Sequence, residues 1–116
     1  MIRLWPHTLR AALWTVRALL QARQQLRHGN FREVELPAPP ALPPMSERGV
    51  HAVLRRLPNT CLERSLVLQR WLGARSKPAD VIIGVARTNG TYHAHAWLEG
   101  EPDGDSFHEL IRLPAP

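Results

Sequence analysis

The stretch Thr60-Cys61-Leu62-Glu63-Arg64-Ser65-Leu66-Val67-Leu68-Gln69-Arg70-Trp71-Leu72-Gly73 decides how the chain is read. It is punctuated as a helix at both ends. Thr60 occupies the N-cap, and Glu63 three residues later completes a capping box, in which each residue's side chain accepts from the other's backbone N–H. Gly73 follows the last periodic apolar residue, where a left-handed C-cap is expected. Leu62, Leu66, Gln69 and Leu72 share one face. Cys61, the single cysteine of the chain, then falls at the first helical position. Backbone N–H groups there lack helical partners and the helix dipole is positive, a setting that favours a thiolate. A lone cysteine is otherwise a small buried hydrophobe. The presence of a partner for Cys61 therefore separates chemistry from packing.

The C-terminal half reads as a sheet. Ala79 to Arg87 is rich in β-branched residues, Asn89-Gly90 is the strongest two-residue signal for a type I′ hairpin, and Thr91 to Glu99 is the return strand. With Asn89 and Gly90 as the loop, Thr88 faces Thr91, and counting fixes the rest. Ala86 faces His93, Gly84 faces His95 and Ile82 faces Trp97. One face carries these six residues; the other carries Val81, Ile83, Val85, Ala94, Ala96 and Leu98. Neither face is charged at its centre, so both are expected to be covered. The cysteine helix is the candidate for one and the N-terminal helix for the other. Gly100-Glu101-Pro102-Asp103-Gly104 is turn composition, and Asp105 to Leu113 reads as a third strand. A five-residue loop sets Trp97 opposite Phe107 and His95 opposite Glu109, about 5 Å apart between Cβ atoms.

These elements supply the parts of a thiol site: a nucleophile, a base within hydrogen-bond reach and a group that fixes the tautomer of the base. Cys61 is the candidate nucleophile, His95 the base and Glu109 the orienter, with Asp105 in reserve. First-turn N–H groups beside Cys61 suit a developing oxyanion. His93, on the same face as His95, competes for the role of base. A metal site through His93, His95 and His108 is disfavoured, because a strand sets His108 on the other face.

The N-terminal third differs in composition. Pro6 to His28 reads as a helix, with proline in its first turn and Gly29-Asn30 as its stop. Leu9, Leu13, Val16 and Leu20 form one stripe, and Arg10, Arg17 and Arg27 lie mostly off it. Packing of that stripe within the domain is the plain expectation; docking on a partner protein or an anionic surface is the other. Arg10, Arg17 and Arg23 break any secretory apolar core. Phe31 to Leu36 is a strand or an extended arm. Five prolines fall between Pro37 and Pro44, which excludes a helix and favours a stiff polyproline connector. Ser46 caps a second helix, Glu47 to Leu57, ended by Pro58. The two short helices resemble a helix-turn-helix reader in outline, but Cys61-Leu62 at the second start suits chemistry better than base edges. The domain reading is residues 1–45 as basic helix plus connector and 46–116 as the catalytic core.

Composition bounds the rest. The 116 residues suffice for a modest core, and 44% are hydrophobic, so wholesale disorder is excluded. One cysteine excludes an internal disulfide framework and fits a reducing, cytoplasmic compartment. No run approaches the roughly 18 apolar residues of a membrane span. The net charge is +5, and nearly all the positive charge is arginine, Lys77 being the only lysine. No basic run is interleaved with aromatics and no glycine-rich phosphate loop is present, which argues against nucleic acid as a partner.

Cys61-Leu62-Glu63-Arg64-Ser65-Leu66, Val81-Ile82-Ile83-Gly84-Val85 and Ala94-His95-Ala96-Trp97-Leu98-Glu99 together resemble the B2-type lasso-peptide maturation proteases. These are transglutaminase-like cysteine peptidases that remove the leader from a ribosomally made precursor. The resemblance covers roughly residues 46–113. It implies an α+β, papain-like fold, with N-terminal helices and a cysteine-bearing helix packed on a C-terminal antiparallel sheet. Carried over by position, it implies Cys61 and His95 as the catalytic pair, an acidic residue on the strand after the histidine, Glu109, as the third member, and no cofactor. It also implies three partners: a precursor peptide, a leader-recognition protein of the B1 type and an ATP-dependent lasso cyclase. The chain before Ser46 leaves no room for a fused recognition domain, so a separate one is expected, with peripheral contact to an anionic membrane as a further option. The alternatives are a non-catalytic peptide-binding module on the same fold and a transglutaminase-like acyl transferase.

Overall fold

A computed structural model describes residues 6–102 and 106–116. Among them are three α-helices, α1 (Pro6–His28), α2 (Glu47–Arg56) and α3 (Cys61–Gly73), and one antiparallel sheet of β1 (Val81–Thr88), β2 (Thr91–Leu98) and β3 (His108–Leu113). The class is α+β, as the sequence reading expects. The chain divides into two compact units, one ending at Asn59 and one beginning at Thr60. Within the first unit α2 packs on α1.

In the first unit, α1 has the predicted bounds but not the expected buried face. Ala11, Trp14, Thr15, Ala18, Leu19 and Ala22 are buried, whereas Leu9, Leu13 and Leu20 are 45%, 61% and 56% exposed. On this face Trp14 and Leu19 alternate with the small Ala11, Thr15, Ala18 and Ala22, and α2 comes close at Gly49. A Cβ on Gly49 would run into the carbonyl oxygen of Thr8 and come within 3.0 Å of the Ala12 nitrogen. A glycine inside a helix weakens it; here it removes the side chain that would hold the two helices apart. Residues 31–36 form no strand: Phe31–Glu33 is a single 3-10 turn. The chain then runs back along α1. Gln25 exchanges two side-chain hydrogen bonds with the backbone of Glu35, at 2.7 and 2.8 Å. Trp14 Nε1 donates to the Pro37 carbonyl at 3.1 Å. The proline-rich segment is thus a strap across its own helix, pinned by the buried Leu42.

The second unit starts at the capping box. Thr60 N donates to Glu63 Oε1 at 3.0 Å and Glu63 N to Thr60 Oγ1 at 3.1 Å. The other end of α3 differs from expectation. Gly73 stays helical, and the left-handed residue is Ser76, with φ 60°. Lys77 N donates back to the Leu72 carbonyl at 3.0 Å, so the stop lies three residues later. Buried Gln69 donates from Nε2 to the carbonyls of Ala79 and Leu113, 3.0 Å each, and ties α3 to the start of β1 and the end of β3.

The β1–β2 hairpin has the predicted register, from Thr88 opposite Thr91 to Ile82 opposite Trp97. Asn89 and Gly90 have φ values of 53° and 79°, as a type I′ turn requires. The third strand corrects the reading. The order is β2-β1-β3, and β3 pairs with β1, Gly84 opposite Glu109 and Val81 opposite Leu113, with a bulge at Ile83/Gly84. The physical reason is the outer edge of β2. Ala96 N–H donates to Cys61 Sγ at 3.3 Å, and Leu98 N–H to Glu101 Oε1 at 2.8 Å. The edge is taken along Ala96–Leu98, and the chain pairs its third strand on the other side of β1.

Replacing Gly49 by alanine should overpack the α1–α2 contact and cost roughly 1–3 kcal/mol. Urea unfolding checks it: the midpoint falls, whereas Gly29→Ala, outside the contact, shifts it much less.

Candidate active site

Cys61 sits in the first turn of α3 because Thr60 and Glu63 fix the start of the helix there. Its sulfur lies at the open edge of β2 and receives the N–H of Ala96. His95 is the preceding residue, so its Cα lies about 3.8 Å from that of the donor. The structure therefore brings the cysteine and the strand histidine to one place. The lock is strengthened by Glu101, in the turn after β2. Glu101 accepts from Leu98 N, two residues beyond Ala96, and its other oxygen accepts from Arg64 of α3 at 3.3 Å. Helix and strand edge are thus fastened at two points. No spacing rule singles out Glu101; its position after Gly100, whose φ is 94°, is a property of the turn.

The His95 ring is held by aromatics. It stacks on Trp97, with centroids 5.9 Å apart and planes 18° from parallel, and it meets Phe107 at 5.0 Å. Trp97 and Phe107 meet at 5.9 Å. Trp97 lies over Gly84: a Cβ there would come within 2.7 Å of the indole and of the His108 carbonyl. The glycine makes room for the ring that backs His95. His93 is exposed, further along the strand.

Glu109 is not beside His95. The sheet sets Gly84 between them, and two strand spacings separate the backbones by about 9.6 Å. The Glu109 carboxylate is instead gripped by Arg112, at 2.8 and 3.1 Å. Arg112 also reaches Glu99 at 2.6 Å and Asp80 at 3.2 Å. These hydrogen bonds, Glu109 first, then Glu99 and Asp80, raise the guanidinium above its already high pKa. The expected opposition failed because it assumed a meander, and a nine-residue connection crosses β1 instead. Asp105, the reserve, lies outside the described residues. Among the described residues no group of three His, Cys, Asp or Glu side chains is arranged to hold a metal ion, and no helix is long and apolar enough to cross a membrane.

A helix-start cysteine beside the strand of a ring-backed histidine supplies the two side-chain types that thiol attack on an acyl carbon uses. The family model described as the transglutaminase-like superfamily matches residues 7–110. No curated protein and no solved structure matches the chain with significance.

Loss of the Glu101 carboxylate should leave Leu98 N–H and Arg64 without their shared acceptor. Glu101→Ala is expected to cost about 1–2 kcal/mol, in the range for charge-assisted bonds that are partly solvated. Glu109→Ala, on the exposed side of the sheet, should leave the midpoint nearly unchanged. Paired thermal and urea melts give the comparison.

Proposed function

The chain belongs to the transglutaminase-like superfamily, and on that premise we propose that it is a cysteine peptidase removing the leader from a ribosomally made lasso-peptide precursor. The superfamily holds cysteine peptidases and acyl transferases. The observation that carries the reading to this site is the bond from Ala96 N–H to Cys61 Sγ, one residue from His95. Lasso-precursor processing rests on the motif resemblance around Cys61 and Ala94-His95-Ala96-Trp97.

In the mechanism, Cys61 Sγ bonds to the scissile carbonyl carbon as His95 takes the thiol proton. The Ala96 amide donates to the sulfur and holds it in place, and first-turn N–H groups of α3 receive the oxyanion. Collapse breaks the C–N bond, and His95 passes its proton to the departing amine. Water, deprotonated by His95, then attacks the thioester; the carboxylic acid leaves and the thiol is restored. An amine in place of water makes the same site an acyl transferase, which the product mass distinguishes. The work falls to the 46–116 part of the chain, in the cytoplasm, where the Cys61 thiol stays reduced.

A separate leader-recognition protein is the proposed partner of unit one, with an ATP-dependent cyclase taking the product. The outer face of α1 suits the docking: Leu9, Leu13 and Leu20 are exposed, Arg10 and Arg17 flank them, and the helix has no acidic residue. Those arginines match an acidic, apolar partner surface.

Cleavage of a lasso-type precursor peptide is the direct test. Cys61→Ala and His95→Ala should each abolish it with unchanged circular dichroism, whereas His93→Ala should be milder. Full cleavage by Cys61→Ala sinks the proposal. Glu109→Gln should cost less than about tenfold in kcat/KM, because its carboxylate is engaged by Arg112; a loss comparable to His95→Ala would restore it as the third member.

The recognition protein should accelerate cleavage, and Leu13→Glu with Leu20→Glu should remove the acceleration but not the basal rate. Acceleration that survives both changes places the docking elsewhere.

A further inference from the structure

The outer edge of β2 is only partly closed. In an antiparallel ladder, residues alternate between those bonded to the neighbouring strand and those whose N–H and C=O point away from it. Ala96 and Leu98 belong to the outward set, since their amides reach Cys61 and Glu101. By the same alternation Ala94 and Tyr92 turn their backbone groups outward. Among the described residues nothing bonds to them. Both residues are exposed, Tyr92 at 68%, with Arg87 over its ring at 5.7 Å. A row of unpaired N–H and C=O groups on a strand edge is a template for another extended chain. This row ends at Cys61. The outer edge of β3 is a second open edge, but Cys61 is bonded to β2.

We propose that the Tyr92–Ala94 edge of β2 is the docking strand for the substrate peptide, which adds to the sheet there and so delivers its scissile carbonyl to Cys61. The inference rests on the peptidase reading of Cys61. An extended peptide exchanges one pair of hydrogen bonds with Ala94 and a second pair with Tyr92, two residues on. The step from Ala94 to Ala96 is about 6.8 Å, so the residue paired with Ala94 lies two positions from the attacked carbonyl. Main-chain pairing holds any unfolded peptide in reach of the sulfur and excludes helical or folded substrates. Side-chain choice is left to contacts elsewhere.

The test begins with a proteome-derived peptide library digested by the wild-type chain and by Cys61→Ala. Cuts made only by wild type define a substrate peptide, which is then made with a single N-methyl group at each position in turn. Edge pairing predicts a period of two on one side of the cut. Methylation two and four residues from the cut lowers kcat/KM by about tenfold or more, and at the position between them by less than about threefold. The side that alternates reads the direction of the added strand. A flat profile overturns the proposal and leaves the peptidase reading standing; an absence of Cys61-dependent cuts overturns both. Ala94→Pro gives a second reading on the protein side. It removes an outward donor without removing a ladder bond. It should slow cleavage of the unmethylated peptide by about tenfold while alkylation of Cys61 by iodoacetamide, which has no strand to pair, stays within about twofold. Unchanged cleavage by the folded variant overturns the proposal.

Discussion

The hydrogen bond from Ala96 N–H to Cys61 Sγ is the constraint on which the second unit depends. It joins the first turn of a helix to the outer edge of a strand. Because it occupies an edge amide, and Glu101 occupies the next outward one, β2 cannot accept a neighbour along that length. The third strand lies on the far side of β1, away from the edge that these two bonds occupy. The same bond sets the sulfur beside the strand that carries His95. One contact thus joins the helix start to the strand of His95.

Backing that contact are two devices with different jobs. The capping box sets where α3 begins, which determines that Cys61 lies in its first turn. The ring cluster of His95, Trp97 and Phe107 restricts the imidazole, and it exists because Gly84 leaves space for the indole. Phe107 reaches the cluster from the approach to a strand that pairs with β1. The three rings meet although the strand order differs from the expected meander.

The carboxylates show how topology reassigns roles that a linear reading hands out. Glu109 joins Asp80 and Glu99 around Arg112, an exposed network that ties strand ends together across the sheet. Glu101, which carries no sequence signature, is the acid that holds α3 to the strand edge. These four carboxylates are occupied by an arginine or an amide that the fold brings to them.

Local physics was legible in the sequence. The Thr60–Glu63 box, the type I′ turn at Asn89-Gly90, the full β1–β2 register and the bounds of α1 each depend on residues a few positions apart, where steric and hydrogen-bonding preferences decide. The meeting of Cys61 with the His95 strand was also within reach, because one helix start and one hairpin define it. What needed the tertiary structure involved a choice between equally apolar surfaces or equally open edges. The leucine stripe of α1 has the stronger hydrophobic signal, yet the alanine face is buried, because close approach to Gly49 outweighs side-chain area. The third strand had two edges of the hairpin to choose from, and the bonds made by Cys61 and Glu101 occupy part of one of them. Glu109 moved with that choice: a side chain's neighbours across a sheet follow from strand order, and strand order is not written in any single strand.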